Sequence, residues 1–355
     1  MTDKPNLFEP TTLGRISLAN RIVMAPMTRS RAGEGDVPTA MNVEYYRQRA
    51  GAGLIITEGT QPSRNGKGYC RTPGIYSAEQ IAGWKEVVDA VHAEGGKIVL
   101  QIMHCGRIAS HLNREAGTET VAPSAIQAKG EMYTDAEGMV PFDVPRALAT
   151  EEIPAVVEEY RQATANAYAA GFDGVELHCT SGYLPAQFLS TGTNQRSDQY
   201  GGSVQNRCRF VLEVLQAMAS VDGADRVGMR ICPGNPFNDL RDDNPEETFA
   251  TLLDVADPLR LAYLHVIQSP WPDKDNFALA REHFSGKLIL NESFNLEKGQ
   301  QALADGTGEL VSYARHFISN PDLVRRFKED APLNDFDNGT LYTPGPEGYI
   351  DYPSL

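Results

Sequence analysis

A histidine, a serine and a tyrosine lie close together near the middle of the chain, at His178, Ser181 and Tyr183. They follow the apolar run 174–177, which is long enough for a β-strand but not for a helix before Ser181 and Gly182 interrupt it. An imidazole N–H can polarise a carbonyl group and a phenol can release a proton. His178 and Tyr183 could therefore act on one small molecule, although this spacing alone also fits a packed strand end with satisfied hydrogen bonds.

Short apolar runs alternate with amphipathic helical stretches along the whole chain. Continuous apolar runs are typical of strands that are buried on both faces. The predicted strands cover residues 21–25, 53–58, 97–103, 174–178, 227–231, 262–267, 287–291 and 310–314. The longest predicted helices cover residues 78–94, 152–170 and 203–219. Eight strands with intervening helices predict an α/β fold of the (β/α)8 TIM-barrel type.

A doubly wound sheet is the alternative fold. It is disfavoured because the first strand is followed by Pro-Met-Thr-Arg at 26–29 and by no glycine-rich dinucleotide fingerprint. Residues 11–20, with Gly14 at a turn, predict a hairpin that caps the barrel floor. Long βα loops are expected after strands three and five, at 107–147 and 234–244. Since no repeat or linker is visible, residues 1–355 are interpreted as a single domain.

Composition restricts the possible partners. The chain has 355 residues, a formal net charge of −15 and 41% apolar residues, which fits a globular protein without a basic surface for nucleic acid. No apolar stretch approaches the roughly 20 residues of a membrane span, and the first residues do not resemble a signal peptide. Five scattered cysteines without a C-x-x-C pair suggest reduced thiols in a cytoplasmic protein.

In a TIM barrel, side chains at the carboxyl ends of the strands surround the active site. Here these positions bring no carboxylate pair suited to glycoside hydrolysis and no His/Asp/Glu cluster for a metal, so no metal site is predicted. Hydrogen-bonding groups and two arginines suit instead a large polar heterocycle with a phosphate tail. The strand-end residues are Thr28, Gly59, Gln101, Met103, His104, His178, Ser181, Tyr183, Arg230, Asn291, Glu292, Ser293 and Arg315.

Several long motifs, in order along essentially the whole chain, resemble the old yellow enzyme family of FMN-dependent ene-reductases. They are LFEP (7–10), NRIVMAPMTR (20–29), TPGI (72–75), APS (122–124), TNQRSDQYGGS (193–203), FISNPDL (317–323) and GYIDYP (348–353). The resemblance implies a tightly bound, non-covalent FMN and NADPH or NADH as the reductant. It also implies an enzyme that acts on a small activated alkene, as a monomer or homodimer.

The same resemblance implies roles for individual residues around the flavin. Thr28 would contact the flavin C4 carbonyl, Gln101 its pyrimidine edge, and Arg230 the region of N1 and O2, where a cation favours reduction. The backbone of Pro26, Met27 and Gly59 would line the ring system. The phosphate would be held by Ser293, Ala314 and Arg315.

On the substrate side, the resemblance implies that His178 and Ser181 anchor the oxygen of an α,β-unsaturated carbonyl or nitro compound. Hydride would pass from flavin N5 to Cβ, and Tyr183 would protonate Cα. Tyr69, Met103 and Tyr342 would line the substrate pocket, together with His178 and Ser181.

Four residues depart from the family pattern. Ser181 stands where Asn or His is usual, so substrate anchoring is expected to be weaker, and Met103 replaces a frequent tryptophan. Glu292 and Ala314 occupy positions near the phosphate that are often glycine. These departures keep two alternatives open: a specialised flavin-dependent isomerase or desaturase of a biosynthetic intermediate, and a flavin-binding module with little turnover.

Overall fold

The computed structural model describes residues 5–269, 271 and 273–355 of the chain. Its strands, in chain order, are β1 (Thr11–Leu13), β2 (Ile16–Leu18), β3 (Ile22–Met24), β4 (Leu54–Ile56), β5 (Ile98–Ile102), β6 (Val121–Ala122), β7 (Glu131–Thr134), β8 (Gly138–Pro141), β9 (Arg146–Ala147), β10 (Gly174–His178), β11 (Val227–Ile231), β12 (Tyr263–Ile267), β13 (Leu288–Asn291) and β14 (Leu310–Tyr313).

Eight of these strands form a closed parallel barrel in the order β3, β4, β5, β10, β11, β12, β13, β14, with β14 pairing back onto β3. Each lies within one of the predicted strands, so the predicted (β/α)8 fold is confirmed. The strands are buried along almost their whole length, because helices cover the outside and side chains fill the inside.

Helices follow the barrel strands in the alternating pattern of this fold. They are α1 (Ala40–Arg47), α2 (Ala78–Ala93), α3 (Ile153–Ala169), α4 (Leu184–Leu189), α5 (Val204–Asp222), α6 (Pro245–Ala256), α7 (Asn276–His283), α8 (Leu296–Ala304), α9 (Arg315–Ser319) and α10 (Leu323–Glu329). Helix α2 begins at Ala78 because its first turn is capped. The Ser77 side chain accepts a hydrogen bond from the backbone N–H of Gln80, and the Gln80 side chain accepts one from the backbone N–H of Ser77. No helix in the described ranges is long and apolar enough to cross a membrane.

The predicted hairpin closes the floor of the barrel. Strands β1 and β2 pair antiparallel, and Leu13, Ile16 and Leu18 share a buried cluster with barrel side chains such as Val99. Gly14 has a φ of +52°, and a Cβ there would lie 1.9 Å from the carbonyl oxygen of Asp225. Glycine is therefore required at this turn both by conformation and by space.

The long loop after β5 contains more structure than was predicted. Strands β7 and β8 form an antiparallel hairpin, and β6 pairs in parallel with β9. The pattern of β7, with every second residue buried, is typical of a strand that lies over other protein on one face only. This small hairpin forms part of the rim described next.

Candidate active site

A cavity of about 880 Å³ opens at the carboxyl ends of the barrel strands, a volume in the range of a cofactor and ligand site. It brings together almost all of the residues that were predicted from the sequence. Those lining it are Pro26, Met27, Thr28, Gly59, Tyr69, Gln101, Met103, His178, Ser181, Tyr183, Arg230, Ala314, Arg315 and Tyr342. Of the predicted residues, only Ser293 does not line this cavity as far as the described residues define it.

His178 is the last residue of β10 and is 6% exposed. Its Nδ1 is buried and has no hydrogen-bond partner among the described residues. Burial lowers the pKa of His178 well below its ordinary value, and the positive charge of Arg230 acts in the same direction. The imidazole is therefore neutral near pH 7, and its polar edge is free to bind a ligand.

A tight turn carries the chain from β10 to Tyr183. Ser181 has a φ of +57° and Gly182 of +79°, so both lie in the left-handed region. The Gln187 side chain holds this turn in place, because its Nε2 donates to the carbonyl oxygens of Gly182, at 2.7 Å, and Cys105, at 3.0 Å. Tyr183 then directly precedes α4, with its ring against that of His178 at 4.9 Å between centroids.

The phenol of Tyr183 lies 3.0 Å from the phenol of Tyr69. Burial raises the pKa of both groups above the ordinary value of tyrosine, so both phenols are protonated near pH 7. Asn238 supports the pair from the loop after β11: its Nδ2 donates to the Ser181 carbonyl oxygen at 2.8 Å and lies 3.5 Å from the Tyr69 hydroxyl. Asn238 was not predicted from sequence.

Arg230 and Gln101 lie on the barrel strands themselves. Nη2 of Arg230 donates to Oδ1 of Asn291 at 2.7 Å, while its Nε is buried without a hydrogen-bond partner in the described part of the chain. Gln101 Nε2 donates to a carboxylate oxygen of Glu176 at 2.8 Å. A buried cation with a free N–H, beside an amide, provides donors for a polar heterocycle that accumulates negative charge.

Gly59 and Met103 face each other across one side of the cavity. A Cβ at residue 59 would lie 2.5 Å from Sδ of Met103, so a larger residue there would require the thioether to move. Pro26 is buried, whereas Met27 and Thr28 are half-buried where β3 ends. Pro26, Met27 and Gly59 thus line the same cavity, and their contact with the flavin ring stays a prediction.

The predicted phosphate end is only partly assembled. Ala314 and the exposed Arg315 line the cavity. Ser293 donates its hydroxyl to Oε1 of Glu292 at 3.1 Å, and the two residues have φ values of +55° and +108°. The carboxylate of Glu292 therefore competes for the hydroxyl that was predicted to hold the phosphate, and the role of Ser293 remains a prediction.

The outer rim of the cavity comes from distant parts of the chain that carried no local signal. Arg71 forms an ion pair with Asp135 of the β7–β8 hairpin, and its Nη2 donates to the carbonyl oxygen of Tyr342 at 2.9 Å. Rim residues not predicted from sequence include Met132, Tyr133, Met139, Phe237, Phe336 and Leu341. Their placement depends on loop packing, which hydrophobic periodicity does not report.

Comparison with known proteins agrees with this geometry. The family model described as "NADH:flavin oxidoreductase / NADH oxidase family" matches residues 6–334. The chain belongs to this family. The family predicted from the sequence is thus confirmed, and the protein is an FMN-dependent oxidoreductase that uses a nicotinamide reductant.

Individual relatives of this oxidoreductase match over nearly their full lengths. A "probable flavin mononucleotide-dependent alkene reductase" of Leishmania infantum is 42% identical, over 98% of this chain and 97% of the relative. The structure of morphinone reductase in complex with tetrahydroNAD is 46% identical with a TM-score of 0.94, over 99% and 98% of the two chains. The old yellow enzyme homologue of Zymomonas mobilis is 40% identical with a TM-score of 0.95, over 99% and 100%.

Proposed function

We propose that this oxidoreductase reduces the C=C bond of α,β-unsaturated carbonyl or nitro compounds, with His178 and Ser181 as oxygen anchors and Tyr183 as proton donor. The observation that carries this proposal is the placement of an unpartnered, buried imidazole nitrogen and a protonated phenol at one cavity, with ring centroids 4.9 Å apart. Reduction of an activated alkene needs both an electrophilic contact at oxygen and a proton at carbon.

His178 anchors the substrate as a neutral donor. Its lowered pKa leaves one N–H for the substrate oxygen, and the buried site strengthens this hydrogen bond relative to water. The contact becomes stronger as negative charge develops on that oxygen during reduction, which favours the transition state over the bound substrate. Ser181 is half-buried beside it and offers a shorter hydroxyl as a second donor.

Tyr183 transfers the proton that completes the reduction. Its O–H bond breaks as the new C–H bond forms at Cα, and the phenolate that remains is then reprotonated from solvent. The Tyr69 hydroxyl, 3.0 Å away, can donate to that phenolate oxygen and stabilise it until reprotonation. When bound, FMN supplies the hydride that is added to Cβ, after it has been reduced by the nicotinamide.

The remaining predicted residues of the cavity fit FMN. We place the ring system against the backbone of Pro26, Met27 and Gly59, with Thr28, Gln101 and Arg230 as its polar partners, and the phosphate near Arg315 and Ala314. The free N–H of Arg230 and the close packing of Met103 on Gly59 support this assignment. Ser293 completes the phosphate site only if its hydroxyl gives up the hydrogen bond to Glu292.

Anaerobic half-reactions test the proposal. The purified protein should be yellow, lose its flavin absorbance on addition of NADPH or NADH, and regain it on addition of a cyclic enone, a nitroalkene or a maleimide. If the nicotinamide reduces the flavin but none of these compounds reoxidises it, the isomerase or binding-module alternatives would be favoured. A folded, colourless protein that does not take up FMN would contradict the cofactor assignment.

We also propose that residues 1–355 form one domain, that the protein acts as a monomer or homodimer, and that it is cytoplasmic. A single large hydrophobic cluster extends from Leu7 to Tyr349 and supports one domain. The five cysteines are all buried free thiols, as expected in a reducing compartment. Size-exclusion chromatography with light scattering would determine the oligomeric state.

A further inference from the structure

A chain of buried polar side chains crosses the inside of the barrel below the cavity. Gln101 Nε2 donates to Oε1 of Glu176 at 2.8 Å, and Oε2 of Glu176 lies 3.0 Å from Nδ1 of His265. Nε2 of His265 lies 2.8 Å from the Ser312 hydroxyl. Glu176, His265 and Ser312 do not line the cavity, and both Glu176 and His265 are completely buried.

The register of the barrel produces this chain. Glu176 of β10 pairs with Gln101 of β5 on one side and with Gly228 of β11 on the other. Gly228 in turn pairs with Tyr263 of β12, and a Cβ at residue 228 would lie 2.2 Å from the Tyr263 ring. These inward-facing residues therefore form one packed layer of the barrel interior. Glu176 contributes a carboxylate to this layer, where an apolar side chain is usual.

A buried carboxylate is costly unless its oxygens accept hydrogen bonds and its charge is compensated. Here one oxygen accepts from an amide and the other from an imidazole, so both oxygens are satisfied. The nearest buried cation by register is Arg230, two residues after Gly228 on β11 and paired with His265, which contacts Glu176; the charge of Glu176 opposes the lowering of the Arg230 pKa by burial. A buried positive group, Arg230, therefore lines the cavity, and a buried negative group, Glu176, lies in the layer of side chains beneath it.

The carboxylate also fixes the orientation of the Gln101 amide. An ionised carboxylate accepts hydrogen bonds and does not donate them, so it must face the NH2 group of Gln101 and not its carbonyl oxygen. Without Glu176, the amide could rotate by half a turn and exchange donor for acceptor at little cost. With Glu176 present, the oxygen of Gln101 is turned away from the carboxylate.

We propose that Glu176 is a positioning residue for the cofactor: it orients the Gln101 amide for FMN, and its charge offsets Arg230 so that the bound flavin keeps a lower reduction potential. This inference depends on the proposed placement of FMN beside Gln101 and Arg230. His265 and Ser312 hold the carboxylate in place from the other side of the barrel.

Two substitutions separate the two effects. Glu176→Gln removes the charge with almost no change in volume, so the midpoint potential of the bound flavin should move to a more positive value. Glu176→Asp keeps the charge but withdraws it by one methylene from Gln101, so the Kd for FMN should rise on the order of fivefold, the effect of one lost hydrogen bond. Its potential should stay closer to that of the parent.

Glu58→Gln is the matched control. Glu58 is also a buried carboxylate, it follows β4, it accepts from the backbone N–H of Arg29 at 3.2 Å, and it does not line the cavity. Burial raises the pKa of Glu58 to about 7, so the comparison is made at pH 8.5, where the control also removes a charge. The control should leave both the flavin potential and the Kd for FMN unchanged.

Spectroelectrochemical titration of the holoproteins and FMN titration of the apoproteins provide the readouts. Glu176→Gln with the parental potential, or with a shift no larger than that of Glu58→Gln, overturns the charge effect. A folded Glu176→Asp variant with the parental Kd for FMN overturns the positioning effect. If Glu176→Gln does not fold, the Glu176→Asp variant alone tests the proposal. If neither variant folds while Glu58→Gln does, Glu176 is a structural residue and the proposal is wrong. A parent protein that binds no FMN would instead contradict the proposed function.

Discussion

The two sides of the cavity are built in different ways. The cofactor wall, formed by Gln101 and Arg230, lies on barrel strands, and a paired neighbour fixes each of these residues. The substrate wall includes His178 at the end of β10, but its other members, Tyr69, Ser181 and Tyr183, lie on loops after two different strands and are supported by Asn238 of a third loop. The backbone reflects this contrast, because Ser181 and Asn238 have positive φ values whereas the cofactor wall is extended.

The difference indicates which wall tolerates substitutions without loss of FMN. Moving a residue of the cofactor wall disturbs the pairing of neighbouring strands, whereas residues of the substrate wall depend on a few side-chain hydrogen bonds such as those of Gln187 and Asn238. We therefore expect substitutions in the substrate wall to alter turnover or KM without loss of FMN. Of the family departures, Ser181 lies on a loop of the substrate wall, whereas Met103 follows Gln101 by two residues and contacts Gly59.

Tyr183→Phe should produce the largest effect. Loss of the proton donor should slow reoxidation of the reduced enzyme by a cyclic enone about 100-fold or more, with unchanged reduction by the nicotinamide. Stopped-flow absorbance of the flavin measures both half-reactions. Tyr69→Phe is the control, because it removes only the 3.0 Å partner of the phenol and should cost about fivefold. Equal losses in the two variants would mean that Tyr183 is not the specific donor.

Ser181→Asn should have a smaller effect, on binding. Asparagine adopts the left-handed conformation more readily than serine, and its longer amide can reach the substrate oxygen. The KM for a cyclic enone should fall about fivefold, the value of one added hydrogen bond, with a gain in stability of about 0.5 kcal/mol. Ser181→Gly is the comparison variant: it relieves the backbone but removes the hydroxyl, so its stability should also rise whereas its KM should rise instead of fall. An unchanged KM in Ser181→Asn would show that residue 181 does not anchor the substrate.

Glu292→Gly tests the predicted phosphate end of the cavity, which lies outside the cofactor wall. Glycine accepts the φ of +108°, and its introduction removes the carboxylate that holds the Ser293 hydroxyl. The Kd for FMN should decrease roughly threefold because repulsion of the phosphate by an exposed charge is modest. Glu292→Gln separates the effect of the charge from the effect of the backbone, because it removes the carboxylate charge but keeps a non-glycine residue at the positive φ. Equal or weaker FMN binding in both variants would place the phosphate away from Ser293.

The pH dependence should show no effect of His178 near neutrality. A histidine whose pKa lies well below 6.5 is already neutral there, so it protonates only when the pH falls much further. We expect kcat/KM for an enone to be flat between about pH 6 and 8 as far as this residue is concerned. An acid limb centred near 6.5 in the parent enzyme, absent in His178→Asn, would show that the imidazole is exposed and charged during turnover.

Local sequence signals predicted the scaffold well. The eight barrel strands and the hairpin at Gly14 were recognised from apolar runs and turn residues, which report on each residue's own neighbourhood. The motifs of the family then assigned most cofactor-wall positions, because strand ends in a barrel necessarily meet at one face. The small sheets in the loop after β5 were missed, since short strands packed on one face give a weak pattern.

What the sequence by itself determined is therefore the set of elements, the family, and the residue types that reach the cavity. Only the tertiary structure decided how these groups connect: that Tyr69 meets Tyr183 across 114 positions of sequence, that Asn238 contacts Tyr69 and Ser181, and that Glu176 bonds to Gln101. It also decided that the Ser293 hydroxyl binds Glu292. The physical reason is that hydrogen bonds depend on distances of a few tenths of an ångström between elements, and these are set by packing of the closed barrel rather than by local periodicity.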